Sequence, residues 1–213
     1  MPADYETDPA AIERESFRRI RALTDLDGLG DAEQQVAMRI VHSLGLPEVV
    51  AALRFSPLAC DAGIAALRQE CPILCDVEMV RHGVTRRMRA VEPLCFLNDA
   101  RVPALARERG ETRSMVALEL WQPLLAGSLV LIGNAPTALF RLLQMLEAGA
   151  AKPALIVAMP VGFVGAAESK QLLWDTHRQL GVECITLLGR QGGSAVTVAS
   201  CNALLRCIRG ERY

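Results

Sequence analysis

Lysine is nearly absent from this sequence: its 23 basic residues are all arginine except Lys152 and Lys170. Long apolar stretches are absent too, since none reaches the roughly 18 residues that a membrane-crossing helix needs. With a formal net charge of -1, the overall field favours neither nucleic acid nor an anionic membrane surface. The G-x-G-x-x-G fingerprint and the G-x-x-x-x-G-K-[ST] phosphate loop do not occur, GRQGGS from Gly189 matches neither, and no G-x-S-x-G elbow is present. His42, His82 and His177 have no metal-ligand spacing. The seven cysteines are scattered and odd in number; Cys71 and Cys75 lie closest together, but no second pair completes a zinc site, so they read as buried thiols. No secretory signal pattern accompanies them, and a reducing, cytoplasmic compartment is expected. Neither a metal nor an organic cofactor is called for. That leaves acid–base chemistry and positioning, or binding without chemistry.

What the chain does have is apolar content, 51% over 213 residues, enough for one well-packed domain taken as residues 1–213. The stretch from Ser128 to Lys170 organises it. Leu129 to Ile132 is an unbroken apolar run that suits a strand buried on both faces. Gly133 and Asn134 turn the chain, Pro136 fits a first helical turn, and Leu139, Leu142, Leu143 and Leu146 follow at helical spacing. After Gly149, Ala154 to Val157 reads as the next strand, and Pro160, Gly162 and Gly165 form a loop before a helix from about Ala166. This βαβ unit implies a parallel sheet whose ligands sit at the carboxyl ends of the strands. Ile73 to Cys75, Pro93 to Leu97 and Cys184 to Leu188 supply three more strands. The expected fold is three-layer α/β, a mainly parallel five-stranded sheet flanked by helices. Helices are also expected from Ser56 to about Arg68 and from Thr112 to Leu125.

Two earlier helices carry anomalies. Asp8 and Pro9 open the first, in which Ile12, Ser16, Ile20 and Leu23 share a stripe. A hydroxyl in that stripe needs a partner, either the carbonyl one turn back or a ligand at its face. Asp31 and Gln34 resemble a capping box for the second helix, which ends at Gly45. Its apolar face is Val36, Ala37, Ile40, Val41 and Leu44, leaving Gln35, Arg39 and His42 opposite. A core histidine belongs in the apolar stripe, and His42 is outside it. Arg39, one turn earlier, disfavours the imidazolium form. A solvated helix face accounts for the same spacing.

Three glycine-bearing loops open helices: Gly133-Asn134-Ala135-Pro136, Gly162 to Ala166, and Gly192-Gly193-Ser194. Free backbone N–H groups at a helix start favour an anion, although glycines also make tight turns in any α/β fold. Arginine pairs carboxylates through two parallel bonds, so a polycarboxylate ligand suits this basic set, as does base-composition bias in the coding sequence.

The segments DPAAIERESFRRI from Asp8, RIVHSLG from Arg39, CDVEMVRHGVTR from Cys75, IGNAPTALF from Ile132, MPVGFVGAAESK from Met159 and GGSAVTVASCNAL from Gly192 resemble the precorrin-8X methylmutases of cobalamin biosynthesis, in that family's order. The resemblance implies a homodimeric isomerase that moves a methyl group from C-11 to C-12 of the precorrin-8X macrocycle, giving hydrogenobyrinic acid without metal or cofactor. It places the family's catalytic histidine on His42 and its substrate-contacting serine and arginine on Ser16 and Arg39. Thr85, Asn134, Gly193 and Ser194 are then expected to border the substrate. The sequence leaves open the cobalt-precorrin-8 methylmutase of the anaerobic branch and a corrinoid carrier without catalysis.

Overall fold

The computed structural model describes residues 5–213. Six strands form one sheet in the order β1-β6-β5-β4-β2-β3: β1 (Leu53–Phe55), β2 (Ile73–Cys75), β3 (Leu94–Cys95), β4 (Leu129–Ile132), β5 (Leu155–Ala158) and β6 (Cys184–Leu187). All neighbours run parallel except β1, which pairs antiparallel with β6 at the edge. The sheet therefore has one strand more than the sequence predicts. Three residues show no periodicity of their own, and β1 exists because its backbone finds β6 more than a hundred residues away.

The period of two along the strands assigns the layers. On β4, Leu129 and Leu131 join one core while Val130 and Ile132 join the other; on β5, Leu155 and Val157 oppose Ile156 and Ala158 in the same way. The first face is covered by α1 (Pro9–Leu23), α2 (Asp31–Leu44), α3 (Ala59–Arg68) and α9 (Ser194–Ile208). The second is covered by α7 (Pro136–Glu147), α8 (Ala166–Leu180) and the end of α6 (Arg113–Glu119). The short helices α4 (Glu78–Gly83) and α5 (Val102–Arg109) complete the set. This is the expected three-layer α/β arrangement. Among the described residues no helix is long and apolar enough to cross a membrane.

Several boundaries differ from the sequence reading for local reasons. The cap of α2 is Gly30, whose N–H donates to Glu33 Oε2 at 2.8 Å, one residue ahead of the Asp31 and Gln34 pair. Helix α3 starts at Ala59, because the Ser56 hydroxyl is taken by the Glu183 carboxylate and the Cys184 N–H across β6. The expected Thr112–Leu125 helix ends at Glu119, and Gln122–Leu124 forms a separate 3-10 turn.

Candidate active site

Sequence order in the sheet reverses between β2 and β4, where an open α/β sheet offers its crevice. Here that crevice is already filled. Asp76, directly after β2, is 3% exposed and accepts from the N–H groups of Gly133 (3.0 Å), Asn134 (2.8 Å) and Ala135 (2.9 Å) at the start of α7. Burial pushes the Asp76 carboxyl up and these three donors pull it back. The anion site expected at Gly133-Asn134-Ala135 is thus satisfied from within, and only the exposed Asn134 side chain faces outward.

The open space lies one layer over, where α2 packs along α9 and α4 closes one side. A cleft of about 340 Å3 is lined by Arg39, His42 and Ser43 of α2, Met79 and Gly83 of α4, and Ser194, Val198 and Asn202 of α9, among others. The polar face of α2 identified from sequence therefore opens on a cavity, with one exception. Gln35 is 2% exposed, covered by Tyr213, whose N–H donates to Gln35 Oε1 at 2.7 Å.

Helix α1 lies against α2 and settles the Ser16 anomaly. Ser16 Oγ and His42 Nδ1 are 3.1 Å apart, a hydrogen bond whose donor depends on the imidazole tautomer. The serine thus bonds a side chain on another helix and not the carbonyl one turn back. The next residue, Phe17, is 3% exposed, and its ring stacks on the His42 imidazole at 5.0 Å between centroids and 17° between planes. Burial is the main cause that holds the His42 pKa below its usual value; Arg39 adds to it and Glu13 opposes it. Serine below, ring behind and cation beside leave the second ring nitrogen as the one without an assigned protein partner.

The remaining expected residues differ in how they reach the cleft. Ser194 lines the cleft, and Gly193 precedes it with its N–H committed to Met159 O at 2.8 Å. Thr85 reaches the cleft indirectly, since its N–H donates to Asn202 Oδ1 at 2.9 Å while Asn202 Nδ2 donates to Gly83 O at 3.2 Å. Asn134 is not brought to the cleft wall. Sequence reasoning did not single out Asn202 or Met79. Asn202 sits inside a quoted motif, yet its period on α9 marks it only as core-facing. Among the described residues no cluster of three or more His, Cys, Asp or Glu side chains could hold a metal ion.

Comparison with known proteins supplies the chemical class. Residues 11–207 match the family model described as precorrin-8X methylmutase. The chain is 55% identical over 203 residues to a precorrin-8X methylmutase of Pseudomonas aeruginosa, covering 94% of this chain and 97% of that protein. It is 36% identical to a cobalt-precorrin-8 methylmutase of Leptospira interrogans, covering 94% and 96%. The crystal structure of a precorrin-8X methylmutase from Thermus thermophilus superposes with a TM-score of 0.84 at 34% identity, covering 94% and 97% of the two chains.

Proposed function

The chain belongs to the precorrin-8X methylmutase family, and from that premise we propose that its cleft takes the precorrin-8X macrocycle and that His42 governs the methyl migration. The protein is an isomerase of cobalamin biosynthesis. The observation that carries the residue assignment is the 3.1 Å contact between Ser16 and His42 on two different helices, with His42 and Arg39 both lining the cleft.

The chemistry asked of the protein is limited. The C-11 to methyl bond breaks as the C-12 to methyl bond forms, within one molecule, so any proton lent to the macrocycle must be recovered. A histidine with a lowered pKa suits that cycle, because its imidazolium gives up a proton readily and the same imidazole receives it again when the macrocycle releases it. Ser16 fixes which nitrogen is engaged behind the ring. Arg39 supplies a forked donor for a substrate carboxylate as well as the neighbouring charge. Ser194 and the Asn202-held Thr85 segment border the same substrate, with Gly193 next to Ser194, while Asn134 lies outside the cleft wall.

Identity of 55% to a protein named for precorrin-8X, against 36% to one named for cobalt-precorrin-8, favours the metal-free substrate. A cleft of about 340 Å3 is small for a tetrapyrrole with acid arms, and Phe163 and Val164 beyond β5 are 86% and 89% exposed. Both support a homodimer in which a second copy completes the pocket. Substrate and product differ in conjugation, so turnover is read from visible absorbance. His42→Asn should abolish the spectral change while product still binds; near-normal turnover by that variant defeats the assignment.

A further inference from the structure

We propose that Tyr213 is a positioning residue for His42, acting through the ring of Phe17; the inference rests on the reading of His42 given above. Residue 213 lies beyond the span 11–207 that the family model matches. Its ring stacks on Phe17 with 3.7 Å between centroids and 12° between planes, and Phe17 stacks in turn on His42. Phe17 thus links the Tyr213 ring to the imidazole at the cleft wall, and the Arg39 guanidinium lies 5.7 Å from the Tyr213 ring centroid.

The Tyr213 end of this stack is fastened to three helices. The Tyr213 N–H is held by the buried Gln35 of α2, and Arg21 of α1 donates to Tyr213 O at 3.4 Å. The Arg206 guanidinium of α9 lies 4.4 Å from the Tyr213 ring centroid while pairing Glu13 of α1 at 3.2 Å. Arg212 Nε pairs Asp31 of α2 at 2.8 Å, fixing the residue before. So many anchors on a short segment hold one planar group against Phe17. The Tyr213 hydroxyl is buried without a hydrogen-bond partner, so the ring face, not the oxygen, is what this place uses.

Phe17 follows Ser16 on α1, and the two touch His42 by different means. Ser16 sets the depth of Nδ1, and Phe17 sets the plane of the ring. Removing the ring behind Phe17 frees its side chain and lets the imidazole tilt, and small misplacements of a reacting group are costly in rate.

The test compares turnover and product affinity, followed by absorbance, for Tyr213→Phe, Tyr213→Leu and Phe17→Leu, with His42→Asn in the same assay. Tyr213→Phe should match the native protein. Tyr213→Leu, which keeps bulk but removes the planar face, should lower kcat on the order of tenfold with KM and product affinity little changed. Phe17→Leu should produce a similar loss, and the double variant should lose no more than the larger single one, since both break the same stack. Native kcat in Tyr213→Leu, a loss in Tyr213→Phe equal to that in Tyr213→Leu, or additive losses in the double variant would each overturn the proposal. Full turnover by His42→Asn would instead remove the reading on which it rests.

Discussion

Replacing Lys170 with methionine should make stability respond to pH in a way that can be worked out in advance. The side chain is fully buried in α8, and its ammonium donates to Gln191 O. Burial alone pulls the amine from 10.5 down to about 8. That drop corresponds to about 3 kcal/mol, at roughly 1.4 kcal/mol per pH unit. A folded-state pKa below the unfolded value means that the unfolded chain holds more protons between about 8 and 10.5. Stability from this group therefore rises with pH across that window and is lost as pH falls through it. Urea unfolding of the native protein and Lys170→Met, near neutral pH and near pH 10.5, isolates the effect, because thiols and tyrosines titrate in both proteins and cancel in the difference. The native protein should gain about 3 kcal/mol on the variant between the two conditions. Near neutral pH the two should be close, since the variant loses one hydrogen bond but also a costly buried charge. A difference that stays flat with pH would refute the argument. The group matters to the site because Gln191 leads through Gly192 and Gly193 to Ser194 at the cleft.

Two further substitutions test how the loops are held. A Cβ at Gly192 would lie 2.2 Å from Met159 O, at a φ of +156°, so Gly192→Ala should cost about 2–4 kcal/mol. An unchanged melting temperature would show that this close approach does not matter. Asp76→Asn replaces one acceptor oxygen with a donor facing backbone N–H groups, leaving buried donors unpaired at about 1–3 kcal/mol. Amide exchange at Gly133, Asn134 and Ala135 should accelerate, and slow exchange retained there would contradict the role given to the carboxylate.

The β4–α7–β5–α8 unit was legible because each of its signals is local. Unbroken apolar runs mark strands buried on both sides, Pro136 marks a helix start, and leucines at helical spacing mark the buried side of α7. His42 was legible for a related reason: a histidine outside the apolar stripe of α2 shows in a helical projection. Its use was not. The same face holds Gln35, which the fold buries under Tyr213, and Arg39, which the fold leaves at the cleft. Periodicity distinguishes two sides of a helix but does not say what stands opposite either one.

What the sequence determined by itself, then, is the period-coded part: the layers, the order of the main elements, the odd position of Ser16 and His42, and the family motifs. What only the tertiary structure decided is who meets whom. Ser16 and His42 are 26 residues apart and bond because α1 crosses α2 at one register. Asp76 closes the α7 helix start because β2 and β4 are neighbours. Strand β1 has no pattern until β6 supplies its hydrogen bonds. Each of these is a contact between distant segments, and its energy depends on a relative placement that no local repeat of residue types encodes.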